Sequence, residues 1–557
     1  MTLSPSRLLL WLTVLLLGGP VLAGLIGAVA GALGHVPGLQ SAKPASEVWG
    51  AVWSWPGIGR SVALSLWTGV LAALISLASA TLIMAGWSGT RSFSRFRLWL
   101  APFLAVPHAA AAFGIAFLIA PSGWIARALS PWLTGWDRPP DLLILGDPLG
   151  LAMVLGLVVK ELSFLVLMMI AALPQAKAAP SMAVVTTLGY GRARGWLLAV
   201  FPAVYRQIRL PVYVVLAYSM SAVDAALILG PTTPPHLAIV ILRWAADPDL
   251  SLRALASAGA LVQLGLVLVA LLLWRLGEIA AAQLGRSLAE SGRRGGGRAA
   301  AIAGATLAAA SGKFLIAGLA ILALWSVAGP WPFPAFLPET LGSRFWASHG
   351  AALVETGAAT LLLAFAVVAV SLSLALGSLE ANPSRRLLTA LIYLPLIVPQ
   401  VTFLPGLQAA FLKLGLGSGA LPVGLTHLVF VLPYLLLVLT DPYDALDPRY
   451  RTVAAGLGLS PVREFWRIRL PLLLTPIAGA VAVGMAVSIG QYLPTLLAGG
   501  GRVPTLTTEA LTLAAGGDRR VIGAYGLAQA MAALAPFALA LALPRIVWRD
   551  RRGMLHG

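Results

Sequence analysis

Cysteine is absent from the 557-residue chain, and only 10% of the residues are charged. Without cysteine there can be no disulfide, zinc–thiolate site or thiol chemistry. Soluble domains carry roughly a quarter charged residues, whereas this chain is 59% hydrophobic and has a mean hydropathy of +0.89. The composition therefore indicates a membrane protein that crosses the bilayer several times.

The sequence also lacks the common motifs of enzymes. It contains no Gly-x-x-x-x-Gly-Lys-Ser/Thr phosphate loop, no His-Glu-x-x-His and no Gly-x-Ser-x-Gly. We therefore predict no ATP hydrolysis by this chain, and no catalytic residue, cofactor or metal site. The energy for its work must come from a partner subunit or from an ion gradient.

Twelve apolar runs are long enough to cross a bilayer as helices of about 20 residues. The alternating strands of a membrane barrel do not occur in the sequence. We expect the first run, which resembles a signal sequence but is longer, to persist as a membrane helix. The predicted spans are 8–33, 61–86, 98–120, 149–173, 212–230 and 254–277, followed by 314–329, 351–377, 388–412, 422–440, 472–498 and 520–544.

The net charge of +18 comes almost entirely from arginine in alternate loops. This is the positive-inside pattern, which predicts a multi-pass membrane protein with both termini in the cytoplasm. The basic loops also suit anionic membrane lipid, and no nucleic-acid partner is expected. The opposite loops, such as 132–147 and 331–334, carry Trp, Pro and Asp instead.

Two polar segments between spans repeat each other. Residues 188–202 and 457–471 align at a constant offset of 269, with Leu, Gly, Arg, an aromatic residue and Pro in register. In the spans, Val106-Pro107 matches Val398-Pro399. With six spans in each half, the two repeats should be parallel and related by an axis along the membrane normal.

The duplication predicts how the chain is divided. A first permease half covers 1–285, with its core at 60–277 and a polar loop at 174–211, here called the first loop. A cytoplasmic Gly/Arg linker covers 286–313, and its Gly-rich first part predicts flexibility. The second half covers 314–557, with its core at 350–544 and the second loop at 441–471.

The second loop contains signals for two short helices joined by a glycine corner. Asp447-Pro448 and Ser460-Pro461 are typical helix starts, and Gly458 suits the left-handed position that ends a helix. Apolar and basic residues then alternate towards Pro471. One interpretation is an amphipathic connector held at the lipid headgroups. The other, favoured by the duplication, is a pair of docking surfaces for a soluble partner.

The second loop resembles the EAA loop of ABC-importer permeases. That family has Glu-Ala-Ala, three residues, Gly, nine residues and Ile-x-Leu-Pro. Here Thr452-Val453-Ala454 precedes Gly458 and Ile468-Arg469-Leu470-Pro471 at the same spacing, with Thr452 in place of Glu. The first loop is a more degenerate copy, 183–185, Gly189 and 199–202. The whole chain is most similar to fused permeases with two permease domains, such as those for thiamine and ferric iron.

The resemblance implies an all-α polytopic membrane protein of the type I ABC-importer permease fold, with two parallel six-helix repeats. It implies a permease subunit of the bacterial inner membrane that forms the solute pathway. It also implies two copies of a cytoplasmic ABC ATPase docked on the loops, and an extracytoplasmic solute-binding protein docked on the opposite face. The ATPase-coupling residues carried over by position are Gly189, Arg194, Phe201, Pro202, Gly458, Arg463, Ile468, Leu470 and Pro471.

Polar residues inside predicted spans are candidates for the translocation pathway, because isolated charge in a bilayer is costly. Lys160 and Glu161 could line a pathway or form a local ion pair. His427 could face the interior or join two helices through a hydrogen bond. Asp224 and Gln491 are further candidates.

Two other functions compete with an ATP-driven importer. A proton- or sodium-coupled secondary transporter of twelve helices can also have parallel halves. It predicts coupling carboxylates in several spans, whereas Glu161 is one of few here. A membrane scaffold without transport activity would leave the duplication unexplained. Neither the sequence pattern nor the resemblance identifies the solute.

Overall fold

The computed structural model describes residues 5–36, 43–292, 294–295 and 297–549, and within these ranges the fold is helical throughout, without a β-strand. Arg293, Arg551 and Arg552, which contribute to the basic pattern of the sequence, lie outside the described residues. The predicted all-α class is confirmed.

The helices of the first half include a five-residue π-helical turn between α9 and α10. In order they are α1 (Pro5–Ala32), α2 (Ala45–Ser54), α3 (Ile58–Trp87), α4 (Arg91–Ala105), α5 (His108–Ile119), α6 (Trp124–Leu129), α7 (Leu151–Ala172), α8 (Ala178–Thr187), α9 (Arg192–Gly195), the π-turn (Trp196–Val200), α10 (Phe201–Ser219), α11 (Val223–Leu229), α12 (Leu237–Ala246) and α13 (Leu252–Glu290).

The second half follows this order except that it has no counterpart of α2 or α6, and its polar loop again contains a π-turn. Its helices are α14 (Arg298–Val327), α15 (Arg344–Glu380), α16 (Arg385–Ile397), α17 (Gln400–Lys413), α18 (Ala420–Asp444), α19 (Arg449–Gly456), α20 (Pro461–Glu464), the π-turn (Phe465–Arg469), α21 (Leu470–Leu472), α22 (Leu474–Ile489), α23 (Leu493–Gly499), α24 (Leu506–Ala514) and α25 (Arg519–Val547). The offset of 269 relates the starts of α7 and α18, of α9 and α20, and of the two π-turns.

Nine helices of the described residues are long and apolar enough to cross a membrane, and the number rises to twelve if each bent helix pair counts as one span. The predicted number of twelve lies at the upper end of this range. Seven residues, 291–297, separate α13 from α14. Because the predicted linker covers 286–313, most of it belongs to these two helices. Four short helices, α2, α6, α12 and α24, lie in stretches where the sequence predicts none.

Four of the predicted spans are wrong as continuous helices. In the spans 98–120 and 388–412, Pro107 and Pro399 lack a backbone N–H and disfavour helical geometry in the residue before them. Accordingly Val106 and Val398 have ψ angles of 122° and 118°, and α16 meets α17 at 93°. The spans 212–230 and 472–498 are also interrupted, between α10 and α11 and between α22 and α23.

The first helix of each half packs against the other half. In the first half, α1 lies against α17 and α15, and in the second half α14 lies against α5 and α3. Glycines allow the closest approaches: a Cβ built on Gly27 would lie 2.8 Å from the Cα of Gly406, and one on Gly114 would lie 2.7 Å from the carbonyl of Gly318. Small residues at crossings let membrane helices approach closely. The exchange interlocks the two halves.

We predict that Gly27→Leu destabilises the protein much more than Gly18→Leu on the same helix. Leucine at position 27 would overlap the backbone of α17, whereas a Cβ on Gly18 meets nothing within 4 Å. Overpacking of this kind costs about 1–3 kcal/mol. Thermal denaturation of the purified protein in detergent measures the effect, and equal midpoints for the two variants would contradict the proposed role of the crossing.

Candidate functional site

The two polar loops have the same local structure. The first loop runs from α8 through a corner at Gly189, with φ of 79°, into α9, the π-turn and α10. After the corner, the N–H of Tyr190 donates to the carbonyl of Val185 at 3.1 Å. This bond satisfies a carbonyl at the end of α8 in the manner of a left-handed helix cap.

The second loop confirms the predicted helix, glycine corner and helix. The Asp447 carboxylate accepts from the N–H of Arg449 at 2.9 Å as α19 begins. Gly458 has a φ of 75°, and the Ser460 hydroxyl accepts from the N–H of Arg463 at 3.4 Å, with Pro461 as the first residue of α20. Local capping chemistry therefore sets the shape of this loop.

The predicted coupling residues are distributed over the corners and the segments that lead back into the bundle. Gly189 and Gly458 form the corners and are exposed, as are Pro202 and Arg463. The remaining members of the set are half-buried, and these are Arg194, Phe201, Ile468, Leu470 and Pro471. The structure thus places the exposed residues of the set on an accessible surface and the half-buried ones where the loops join the helix bundle.

A buried arginine network fastens the second loop to the helix bundle. Arg469 donates to both oxygens of the Glu464 carboxylate, from Nε at 2.9 and 3.0 Å and from Nη2 at 2.7 Å. It also binds Glu380 at the end of α15, and its Nη1 donates to the Tyr443 hydroxyl near the end of α18 at 2.8 Å. Arginine–carboxylate pairs of this geometry are strong and directional. The network therefore ties the second loop to the ends of two long helices, α15 and α18.

Sequence reasoning missed this network because it assumed α-helical periodicity. Glu464 and Arg469 are five residues apart, which points their side chains away from each other on an α-helix. In a π-helical turn the hydrogen bonds run from i to i+5, and residues at this spacing lie next to each other. The π-turn over Phe465–Arg469 therefore brings the carboxylate and the guanidinium together.

The first loop is attached by apolar contacts instead. At the offset of 269, Arg469 corresponds to Val200 and Glu464 to Gly195. Val200 and Trp196 are buried, and the Trp196 ring lies 5.9 Å from that of Phe201. The two loops thus share a backbone geometry but differ in the chemistry that holds them.

A cavity of about 250 Å³ lies between the halves, lined by the breaks in both sets of helices. Four of the predicted pathway residues line it, and these are Lys160, Glu161, Asp224 and Gln491. His427 does not, because its ring nitrogens bind Ser488 and Thr495 at 2.9 Å each in a fully buried position. The structure therefore brings four of the five candidates together and gives the fifth a contact between helices.

Lys160 caps the broken end of α4. Its ammonium donates to the carbonyls of Phe103 at 3.0 Å and Leu104 at 3.2 Å, and also to that of Val106. These carbonyls belong to the last turn of α4, where the helix itself offers no donors. Glu161 turns away and pairs with His108 at 3.2 Å. Of the two interpretations of the sequence, a local ion pair between Lys160 and Glu161 is therefore not formed, and each side chain makes a separate contact.

The polar groups of the cavity follow the duplication. His108 and Gln400 are the residues that follow Pro107 and Pro399, the two helix-breaking prolines. His108 contacts Glu161, and the Gln400 amide donates to the side-chain oxygen of Gln491 at 3.5 Å. The first half therefore contributes an imidazole and a carboxyl group where the second contributes two amides.

Comparisons with known proteins agree with this architecture. The family described as "Binding-protein-dependent transport system inner membrane component" matches residues 368–550. The inner membrane ABC transporter permease protein YnjC of Escherichia coli is 32% identical over 519 residues, which cover 91% of this chain and 92% of that protein. The chain therefore belongs to the ABC-transporter inner-membrane permeases.

Shorter matches point to the same family. The molybdenum transport system permease protein ModB of Mycobacterium tuberculosis is 31% identical over 207 residues, 34% of this chain and 75% of that protein. The PotC homolog of Mycoplasma genitalium, a spermidine/putrescine transport system permease protein, is 36% identical over 84 residues, 15% of this chain and 29% of that protein. No solved structure matches. The chain is a multi-pass inner-membrane permease of an importer, and an ion-coupled secondary transporter loses its support.

We predict that Arg469→Ala loosens the second loop, whereas Arg467→Ala on its exposed side does not. The first change leaves Glu464 buried without its partner, and breaking a buried pair in this way costs about 3–5 kcal/mol. Hydrogen exchange over 441–471 should rise sharply in Arg469→Ala alone. Restoration of protection in Glu464→Gln/Arg469→Met would support the ion pair as the cause, and unchanged exchange in Arg469→Ala would contradict it.

For Lys160→Met we expect a loss of about 1.5–3 kcal/mol in stability, the usual contribution of a hydrogen bond to a charged group. The carbonyls at the end of α4 would lose their donor within the bilayer. The matched control is Lys313→Met, on an exposed position of α14. Equal denaturation midpoints for the two variants would show that Lys160 does not stabilise the helix break.

Proposed function

We propose that this single chain forms the complete translocation pathway of an ATP-driven importer, with two fused permease halves. Its repeated order of helices and the cavity between the halves support this proposal. The division into halves at 1–285 and 314–557, and the resemblance to fused thiamine and ferric-iron permeases, stay predictions.

The observation that carries the proposal is the pair of loops with matching geometry on a protein that lacks its own phosphate loop. In each loop a π-turn leads towards a helix that borders the cavity. In the first half this helix is α10, which follows the π-turn at once; in the second half it is α22, which follows the short α21. We infer that a cytoplasmic ABC ATPase docks on each loop, so that two copies bind one chain. Binding-protein-dependent permeases work with ATPase and solute-binding partners in general.

The exposed side of the second loop suits such docking. Val453, Leu457, Val462 and Trp466 are each more than 60% exposed, on a loop that also presents Arg463. Contiguous exposed apolar groups rimmed by charge are typical of protein interaction sites. The Arg-rich side of the membrane would then be cytoplasmic, with both termini there, and the solute-binding protein would dock on the opposite face.

Closure of the ATPase dimer would move the loops and, through them, the walls of the cavity. A ligand shifts such an equilibrium only if it binds the two states differently. The Arg469 network and the Trp196 contacts supply the stiff connections that this coupling needs. Lys160, Glu161, Asp224 and Gln491 would line the path that opens alternately to each side.

We predict that Gly458→Val reduces both ATPase co-purification and solute-stimulated ATP hydrolysis, while Gly456→Val retains them. Gly458 has a positive φ, a conformation that costs a side-chain-bearing residue about 1–2 kcal/mol. Gly456 lies two residues away on the same loop, has no positive φ, and a Cβ built there meets nothing within 4 Å. Full retention of the ATPase by both variants would refute docking at this corner.

A further inference from the structure

Three described residues between α13 and α14 lie on the first loop. A Cβ built on Gly297 would come within 2.6 Å of the Cβ of Ala193, and one on Gly295 would lie 3.6 Å from a guanidinium nitrogen of Arg194. The side chain of Arg294 passes over the glycine corner, with its Cδ 3.7 Å from a Cβ built on Gly189. We call Arg294, Gly295 and Gly297 the linker strand.

The exchange of first helices dictates this route. The start of α14 packs on the end of α3, where a Cβ on Gly86 would lie 2.5 Å from the Cα of Ala301. The chain must therefore cross from the end of α13 to α3 within seven residues, which span at most about 25 Å. The first loop also packs on α3, and the described residues Arg294, Gly295 and Gly297 pass over it.

The same position is accessible in one loop and covered in the other. Val462 in the second loop is 67% exposed, whereas Ala193, its counterpart at the offset of 269, is 2% exposed beneath Gly297 and α3. At the second corner, a Cβ built on Gly458 meets no atom of the described residues within 4 Å. A protein that contacts Val462 in one half would thus meet the linker strand at the equivalent place in the other.

We propose that the linker strand is part of the docking surface for the ATPase on the first half, with Arg294 facing an acidic or polar patch of that subunit. The proposal rests on the docking function proposed above. Arg294 and Gly295 are exposed, and the strand is continuous with the corner of the first loop. The two ATPase subunits then contact unequal surfaces, a loop covered by the linker strand on one half and an uncovered loop on the other.

The absence of cysteine makes a direct test practical. Single variants Arg294→Cys, Val462→Cys and Arg286→Cys would each carry a benzophenone maleimide in the full transporter complex purified with its ATPase. Arg286 lies exposed on α13 and bonds the carbonyl of Ala282 in its own helix, so it controls for basic residues near the linker. We expect photocross-links to the ATPase from positions 294 and 462 and none from 286.

The outcomes separate the inference from the function on which it rests. A cross-link from 462 without one from 294, or cross-links from 294 only to lipid, would overturn the role of the linker strand and leave docking intact. No cross-link from 462 would overturn docking itself. Equal yields from 294 and 286 would also overturn the inference, because they would indicate general proximity instead of a defined contact.

Charge reversal provides a functional measure on the same complex. Arg294→Glu should lower the amount of ATPase retained during purification at low salt, whereas Arg286→Glu should retain the wild-type amount. Added salt should narrow the difference between the two variants, because it screens both the attraction in the wild type and the repulsion in Arg294→Glu. Retention in Arg294→Glu equal to that of Arg286→Glu at every salt concentration would contradict a contact between Arg294 and the ATPase.

Discussion

Close helix crossings at glycine determine the arrangement of this permease. Lipid tails are as apolar as leucine, so membrane helices associate mainly through close packing and hydrogen bonds. The contacts of α1 with α17 and of α14 with α5 place each first helix on the opposite half. The cavity of about 250 Å³ therefore lies between the halves. Arg294, Gly295 and Gly297, between α13 and α14, lie over the first loop.

The second constraint is the hydrogen bonding of the backbone where helices break. Irregular backbone inside a membrane is tolerated where it is buried in protein or lines a cavity. Both proline breaks meet this condition, since Lys160 donates to carbonyls at the first and the Thr402 hydroxyl donates to the Pro399 carbonyl at the second, at 2.6 Å. The cavity thus takes its polar character from residues that also stabilise its walls.

Sequence patterns predicted the class of fold, the duplication and the shape of the second loop, because these depend on composition, spacing and local capping. They placed Lys160, Glu161, Asp224 and Gln491 in spans without showing that these residues meet, since the exchange of helices is a long-range property. The pairing of Glu464 with Arg469 depends on a π-turn, which α-helical spacing conceals. For His427 the sequence allowed both a pathway role and the helix contact that it makes.

We propose that one chain supplies both halves of the transporter. Native mass spectrometry of the complex, purified with its ATPase through a tag on the permease, measures the composition directly. We predict one permease chain with two ATPase subunits. A complex with two permease chains and two ATPase subunits would contradict the account, because each chain would then provide only half of the pathway.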